Sequence, residues 1–320
     1  MSWKVILPFL RPIEALIQDA GISDILVNGS AGVFIETNGQ LREVPGVTIP
    51  EKSLQVAVRN IARILGDDIG EEKPLLDARL PDGSRVAAVF PPCSVGGTIL
   101  SIRKFDSKVY TAEELVRLGS LSPQALVVLR QAIEDRQNLL ISGGTGTGKT
   151  TLLNALSASI APDERVVVIE DTSEIQVTQR NLVRLEARRE QSGLPAVTIR
   201  DLLRATLRLR PDRILLGEVR GGEAFDLLQA LNTGHSGTLS TIHANSAKEA
   251  ISRFTTCVLL SGVELPYKAV RSNIAEALNL LVHIDRRNGR RFVTEILGIE
   301  RYDAADDRYE LKTLYRREPS

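Results

Sequence analysis

The chain has 320 residues, 43% of them apolar and 25% charged, with 40 lysines and arginines balanced by 40 aspartates and glutamates. That is a globular composition, long enough for two domains with cores of their own. Zero formal charge disfavours a grip on nucleic acid made mainly through phosphates. The two cysteines, Cys93 and Cys257, stand in no CxxC arrangement, which excludes a disulfide framework or a cysteine zinc site and suits a reducing cytosol.

In chain order, "MSWKVILPFLRPI" comes first, cut by Pro8 and Arg11 and too broken for a signal peptide. Trp3, Ile6, Leu7 and Phe9 read as a start segment packed on its own domain; contact with a membrane surface or a neighbouring subunit is the alternative. "DILVNG", "VFIET", "PLLDARL", "RVAAVF" and "TILSIRK" read as short strands, and the "PDG" at Pro81 to Gly83 predicts a hairpin over Leu75 to Phe90. Between them, Leu54, Val58, Ile61 and Leu65 share one face of a helix over about Glu51 to Leu65. The longest uncharged stretch, Val86 to Ile102, contains Pro91, Pro92, Gly96 and Gly97 and cannot be a membrane span. Residues 1–105 are therefore expected to form an α+β domain.

Residues 106–121 read as a linker, with Thr111 able to cap a short helix. Ser122 and Pro123 then open a helix over "SPQALVVLRQAIEDRQ". From Asn138 the texture changes to strand–helix alternation: "NLLISG", "RVVVIED", "NLVRLEA", "RILLGEV" and "TLSTIH" are branched, buried-type β runs. The fold class expected is α/β: an N-terminal α+β domain followed, over 122–320, by a domain with a mainly parallel sheet that, with the glycine-rich loop of residues 143–150 between its first strand and the next helix, reads as a RecA-like P-loop NTPase domain.

"LLISGGTGTGKTTLLNAL" places Gly143, Gly144, Thr145, Gly146, Thr147, Gly148, Lys149 and Thr150 in the pattern G-x-x-x-x-G-K-[ST], between a predicted strand and a predicted helix that continues through Thr151. Glycines let backbone N–H groups curl around phosphates, and the helix start adds its positive dipole end. Lys149 is expected at the β/γ-phosphates and the Thr150 hydroxyl on Mg²⁺. The guanine-reading N-K-x-D element is absent, so ATP is the expected nucleotide.

Hydrolysis needs an acid to orient and deprotonate water. Two acidic clusters end predicted strands: Glu170, Asp171 and Glu174 in "VVVIEDTSE", and Glu218, with Arg220 beyond it, in "ILLGEVR". Gly217 stands where a magnesium-ligating Asp is usual, so Glu218 either does both jobs or shares them with Asp171 and Glu170. A solvated strand end or helix cap is the structural alternative. In "TIRDLLRATLRLRPDR", Thr198 and Asp201 have capping-box spacing, and Pro211 ends the helix. Arg200, Arg204 and Arg208 form a stripe expected to be a solvated face, with a subunit contact as the alternative.

Phosphate loop, "IEDTSE", "LRLRPDRILLGEVRGGEA" and "TGHSGTLSTIHANS", in that order, resemble the type II/type IV secretion ATPase superfamily, which serves secretion systems, pilus machines and conjugation. The resemblance runs from about Gly21 to Ile299, is densest from Asn138 to Asn245, and within the superfamily points to TrbB-type conjugative-transfer ATPases. It implies a homo-hexamer on the cytoplasmic face of the inner membrane, with peripheral membrane contact, inner-membrane components of a conjugation complex as partners and no direct sequence-specific nucleic-acid binding. It also implies ATP held between the two domains, with hydrolysis moving them. The first acidic cluster matches the family's Asp box, Glu218 the Walker B glutamate, and Thr233–Ser246 the His box. His243 is expected near the γ-phosphate as a sensor, His235 in a sensor or a structural role, and His283 as a strand residue. The family also brings N-terminal-domain arginines to the phosphates, and Arg85 and Arg103 are the candidates here, with Arg220 a further one. A helicase-like nucleic-acid motor, a type II or tight-adherence pilus ATPase, and a non-catalytic nucleotide switch remain the alternatives.

Overall fold

The computed structural model describes residues 6–37, 39–80, 82–105, 109–188, 190 and 194–318. Trp3, Pro81 and residues 106–108 of the expected linker lie outside them. The chain divides into two compact units, one within 1–108 and one from 109 onward, each taken by itself.

The first unit is a six-stranded sheet of β1 (Ile22–Asn28), β2 (Val33–Thr37), β3 (Gln40–Glu43), β4 (Leu75–Arg79), β5 (Arg85–Val89) and β6 (Ile99–Arg103), in the order β3-β2-β1-β6-β5-β4. Every neighbouring pair is antiparallel, and β4 and β5 form the expected hairpin with Asp77 opposite Ala87. A start segment with a short helix α1 (Glu14–Gln18), and a longer helix α2 (Glu51–Ile64), supply the rest of its core. Ile6, Leu10, Ile13 and Ile17 are buried with Leu54, Val58 and Ile61. Burying such a side chain is worth roughly 1.5–3 kcal/mol. Strand β3 has all four residues exposed, so no apolar period announced it.

The second unit is a three-layer α/β structure. It comprises α3 (Ala112–Arg117), α4 (Pro123–Glu134), β7 (Leu139–Ser142), α5 (Lys149–Ser157), β8 (Val166–Glu170), β9 (Leu182–Glu186), α6 (Ile199–Thr206), β10 (Arg213–Val219), α7 (Glu223–Asn232), β11 (Leu239–Ile242), α8 (Ala247–Leu259), α9 (Tyr267–Ala277), β12 (Leu280–Arg287), β13 (Arg290–Asp303) and β14 (Arg308–Arg316). The sheet runs β14-β13-β12-β7-β11-β10-β8-β9. From β12 to β9 every pair is parallel; β13 and β14 add antiparallel edges. Alternate residues of one strand enter opposite cores: Leu139 and Ile141 pack on the α4–α5 side, Leu140 on the α7–α8 side. A strand buried on both faces must be apolar throughout, which is why these runs show no polar alternation.

Three expectations change. Residues 109–121 are not a free linker: Thr111 caps α3 with Glu114 in a capping box, and Ala112, Leu115 and Leu121 are buried in the second unit's core. Helix α6 has the expected Thr198–Asp201 box but stops at Thr206, short of Pro211. Its stripe is not simply solvated: Arg200 and Arg204 donate to the two oxygens of the buried Asp226 on α7 at 2.6 and 2.7 Å, and Arg200 also reaches the Ser261 carbonyl.

Candidate nucleotide site

Four adjacent parallel strands, β7, β11, β10 and β8, end on the same edge of the sheet, and the expected site residues follow from those ends. The phosphate loop joins β7 to α5, whose first residue is Lys149 and whose N-cap, Gly148, has φ +98°. The loop is pressed against β12. A Cβ on Gly143 would lie 2.5 Å from the Ile284 carbonyl oxygen, so only glycine fits there. Thr147 Oγ1 ties the loop internally to the Gly144 carbonyl at 2.9 Å. Thr150 and Thr151 occupy the next two helical positions, where backbone N–H groups have no partner within the helix.

Lys149 is buried, and its ammonium donates to the carbonyls of Gly143 and Gly144 at 3.1 and 3.0 Å. Burial pulls its pKa down, against the attraction of Glu218. The same ammonium stands 3.3 Å from His243 Nδ1. His243 follows β11 directly, and its Nε2 lies 3.1 Å from Glu218 Oε1. Burial and the neighbouring Lys149 lower the pKa of His243. In the neutral ring, Nε2–H donates to the carboxylate and Nδ1 accepts from Lys149, an assignment that satisfies both contacts.

Glu218 sits where the pairing of β10 with β11 shifts register, between Leu216 and Val219. The shift is pinned by Thr241 Oγ1, which donates to the Gly217 carbonyl at 2.6 Å. A bulge of this kind re-aims a side chain at a strand end. Arg220 then bridges the two acidic clusters: one terminal nitrogen meets Glu218 Oε2 and the other Asp171 Oδ2, each at 2.9 Å. Its turn is held by Glu223, which accepts from the amides of Arg220 and Gly221. Lys149, His243, Glu218, Arg220 and Asp171 thus form one continuous chain of contacts.

Glu170 takes a different place from the one expected. It is buried at the end of β8, and its Oε1 accepts from the amides of Glu174 and Ile175 at 2.7 and 2.8 Å. Burial raises its pKa, opposed by those two amides. The carboxyl holds the 171–175 turn in shape, and Asn154 on α5 helps by accepting from the Gln176 amide. Glu170 also crowds position 217, where a Cβ would stand 3.1 Å from Glu170 Cγ, a tight contact that favours glycine.

The two histidines of Thr233–Ser246 are separated by the whole of β11. His235 precedes the strand and contacts the Ala230 carbonyl through both its backbone N–H and its Nδ1 at 3.2 Å, a loop-closing role at the far end from His243. His283 is buried on β12, with Nδ1 3.0 Å from Ser142 Oγ. Among the described residues no three His, Cys, Asp or Glu side chains gather to hold a metal ion. Mg²⁺ needs fewer protein ligands when phosphates and waters complete its shell. Asp171 and Glu218 are both on this strand edge and are bridged by one guanidinium.

In the first unit, Arg85 stands opposite Arg103 on β6 and opposite Arg79 on β4, while Arg103 is also opposite Asp24 on β1. Directly opposite residues share a face, so three arginines lie side by side and the row continues through two acids, Asp24 and Glu36 on β2. Arg103 Nε donates to Asp24 at 2.8 Å. The sequence reading named Arg85 and Arg103 but missed Arg79, which only the strand register reveals. It also missed Arg291 on β13, whose Nε donates to the Gly146 carbonyl at the crown of the phosphate loop at 3.0 Å.

No helix among the described residues is long and apolar enough to cross a membrane. The type II/IV secretion system protein family matches the chain over residues 9–303. The conjugal transfer protein TrbB of Rhizobium radiobacter is 37% identical over 290 residues, 89% of this chain and 86% of that protein. The crystal structure of the VirB11 ATPase of the Brucella suis type IV secretion system, in complex with sulphate, is 30% identical with a TM-score of 0.50, covering 92% of this chain and 97% of that one. The ATPase DotB of Legionella pneumophila shares the fold, with a TM-score of 0.64 at 20% identity over 91% of this chain and 80% of that one. With the phosphate loop, the acidic clusters and His243 on one sheet edge and the match spanning both units, the chain belongs to the type II/IV secretion ATPase family, and its likeness to TrbB covers most of both sequences.

Proposed function

We propose that the protein hydrolyses ATP to power a conjugative type IV secretion apparatus, working as a homo-hexamer whose two domains move against each other on the cytoplasmic face of the inner membrane. The observation that carries this reading is the contact chain from Lys149 through His243 and Glu218 to Arg220 and Asp171 at the mouth of the phosphate loop. It assembles the cation, the base and the second acid that phosphoryl transfer to water requires.

In this arrangement each of these groups has a protein partner. Lys149 is turned onto the loop's own carbonyls, and an incoming triphosphate offers it a stronger partner. Glu218 has His243 on one oxygen and Arg220 on the other. Each oxygen keeps a lone pair for a water, and Arg220, more exposed than Glu218, is the partner able to turn toward phosphate oxygens. Thr150, with Asp171 and Glu218, would hold Mg²⁺, which would supply charge neutralisation to the phosphates. His243 keeps Glu218 oriented and senses the charge beside Lys149.

Lys149→Ala tests the reading. ATP turnover by the purified protein should fall on the order of 10³-fold, as removal of a preorganised charge does. Turnover at the parental rate would dismiss the phosphate-loop assignment. Mixing that variant with Arg85→Ala asks whether the arginines act across subunits, and recovered activity in mixed rings says that they do.

A further inference from the structure

The crown of the phosphate loop is held from outside by the hairpin of β12 and β13, at the opposite end of the second unit's sequence. The hairpin turns at Asn288 and Gly289, both with positive φ, the geometry of a two-residue primed turn. It touches the loop at three places. The Ile284 carbonyl stands against Gly143, Arg286 Nη1 lies beside Gly146, and the Arg291 stem passes beside Gly148. Arg291 Nε–H also donates to the Gly146 carbonyl, at 3.0 Å.

We infer that Arg291 is a positioning residue for nucleotide binding. This rests on the proposed ATP site. In a trans peptide the carbonyl and the following N–H point in opposite directions. Drawing the Gly146 carbonyl outward onto Arg291 therefore turns the Thr147 N–H away from Arg291, into the loop. The inner carbonyls, Gly143 and Gly144, are already taken by Lys149. Gly146 has φ +70°, a conformation glycine leaves easily, so its peptide plane needs an external hold. An inward carbonyl would face phosphate oxygens and repel them. Arg291 acts through the loop, so it contributes to every nucleotide that carries a β-phosphate, whether or not a γ-phosphate follows.

Two substitutions separate this from a direct charge contact. Gln places an amide nitrogen at the same distance along the side chain as Arg Nε, keeping a donor without the charge; Met keeps the stem and has no donor. Fluorescent ADP and ATP titrations of R291M should show both affinities weakened by the same factor, about tenfold, with a smaller fall in kcat at saturation. R291Q should recover most of the lost affinity. R287A, on the same hairpin but ion-paired to Asp285, should bind as the parent does. Equal weakness of R291Q and R291M, a loss confined to ATP, or parental binding by R291M would each overturn the inference. If the parent protein binds neither nucleotide, the proposed function fails instead. Thermal unfolding of each variant identifies a folding defect, and R291Q, the mildest change, keeps the test open if R291M is unstable.

Discussion

The two ends of the second unit's parallel sheet carry the same residue types and use them differently. At the end where strands begin, Arg213 is 2% exposed and pairs with both oxygens of Glu164, 11% exposed; it also donates to the Ile133 and Gly237 carbonyls, and Arg136 adds a second guanidinium. At the end where strands finish, Arg220 is 55% exposed, and its pair with Glu218, 20% exposed, has one contact. The first network is closed around Arg213: a buried guanidinium with all three nitrogens bonded to protein oxygens. The second is open to solvent and to a ligand. An arginine–glutamate pair is thus no sign of a site in itself, and the sign is how much of its bonding capacity is left for something else.

Breaking the closed end should have the largest effect on folding. Arg213→Met leaves Glu164 buried with one guanidinium fewer, and should lower unfolding free energy by about 3–5 kcal/mol in urea melts. If the loss is under about 1 kcal/mol, the contrast between the two ends is false. At the open end, Glu218→Gln should leave ATP binding near the parental value while kcat falls by about 10²–10⁴. Near-normal turnover would move the base elsewhere, and Asp171 is then the acid within reach. The smallest effect concerns pH. His243 has its pKa lowered from the ordinary 6.5 by burial and by Lys149, while Glu218 pulls the other way. As pH falls, the unfolded chain takes up this proton first. The stabilising contribution of the neutral ring is therefore complete above about 6.5 and is lost as pH drops toward the folded value. Thermal melts of His243→Gln should show a shallower acid decline than the parent. The profile will not become flat, because His283 is shifted in the same direction by its own burial.

Much of this was legible in the sequence, for physical reasons that differ by element. The parallel strands announced themselves because burial on both faces demands unbroken apolar runs. The phosphate loop did so because its geometry admits few residues. The clamp on Asp226 was hidden: Arg200 and Arg204 have the spacing of any solvated stripe, and only α7 packing against α6 supplies the acid. The β12–β13 hairpin was available from the Asn288–Gly289 pair, but its dense charge masked the alternation, and nothing local says that its arginines meet a loop more than a hundred residues earlier. Glu170 stands at the expected strand end, but its bonds to two backbone amides were not legible there. Whether a carboxyl faces solvent or two backbone amides is decided by the shape of the next turn.

The shifted register of β10 sets the Glu218 carboxylate between two less hospitable positions. One step back, a side chain at position 217 would crowd the Glu170 stem, which would have to give way; one step on, Val219 is packed in the core. A designer who transposed the acid would have to reshape a neighbour on one side or open an oily interior on the other, so in this scaffold the acid is cheaper to retune through its surroundings than to relocate.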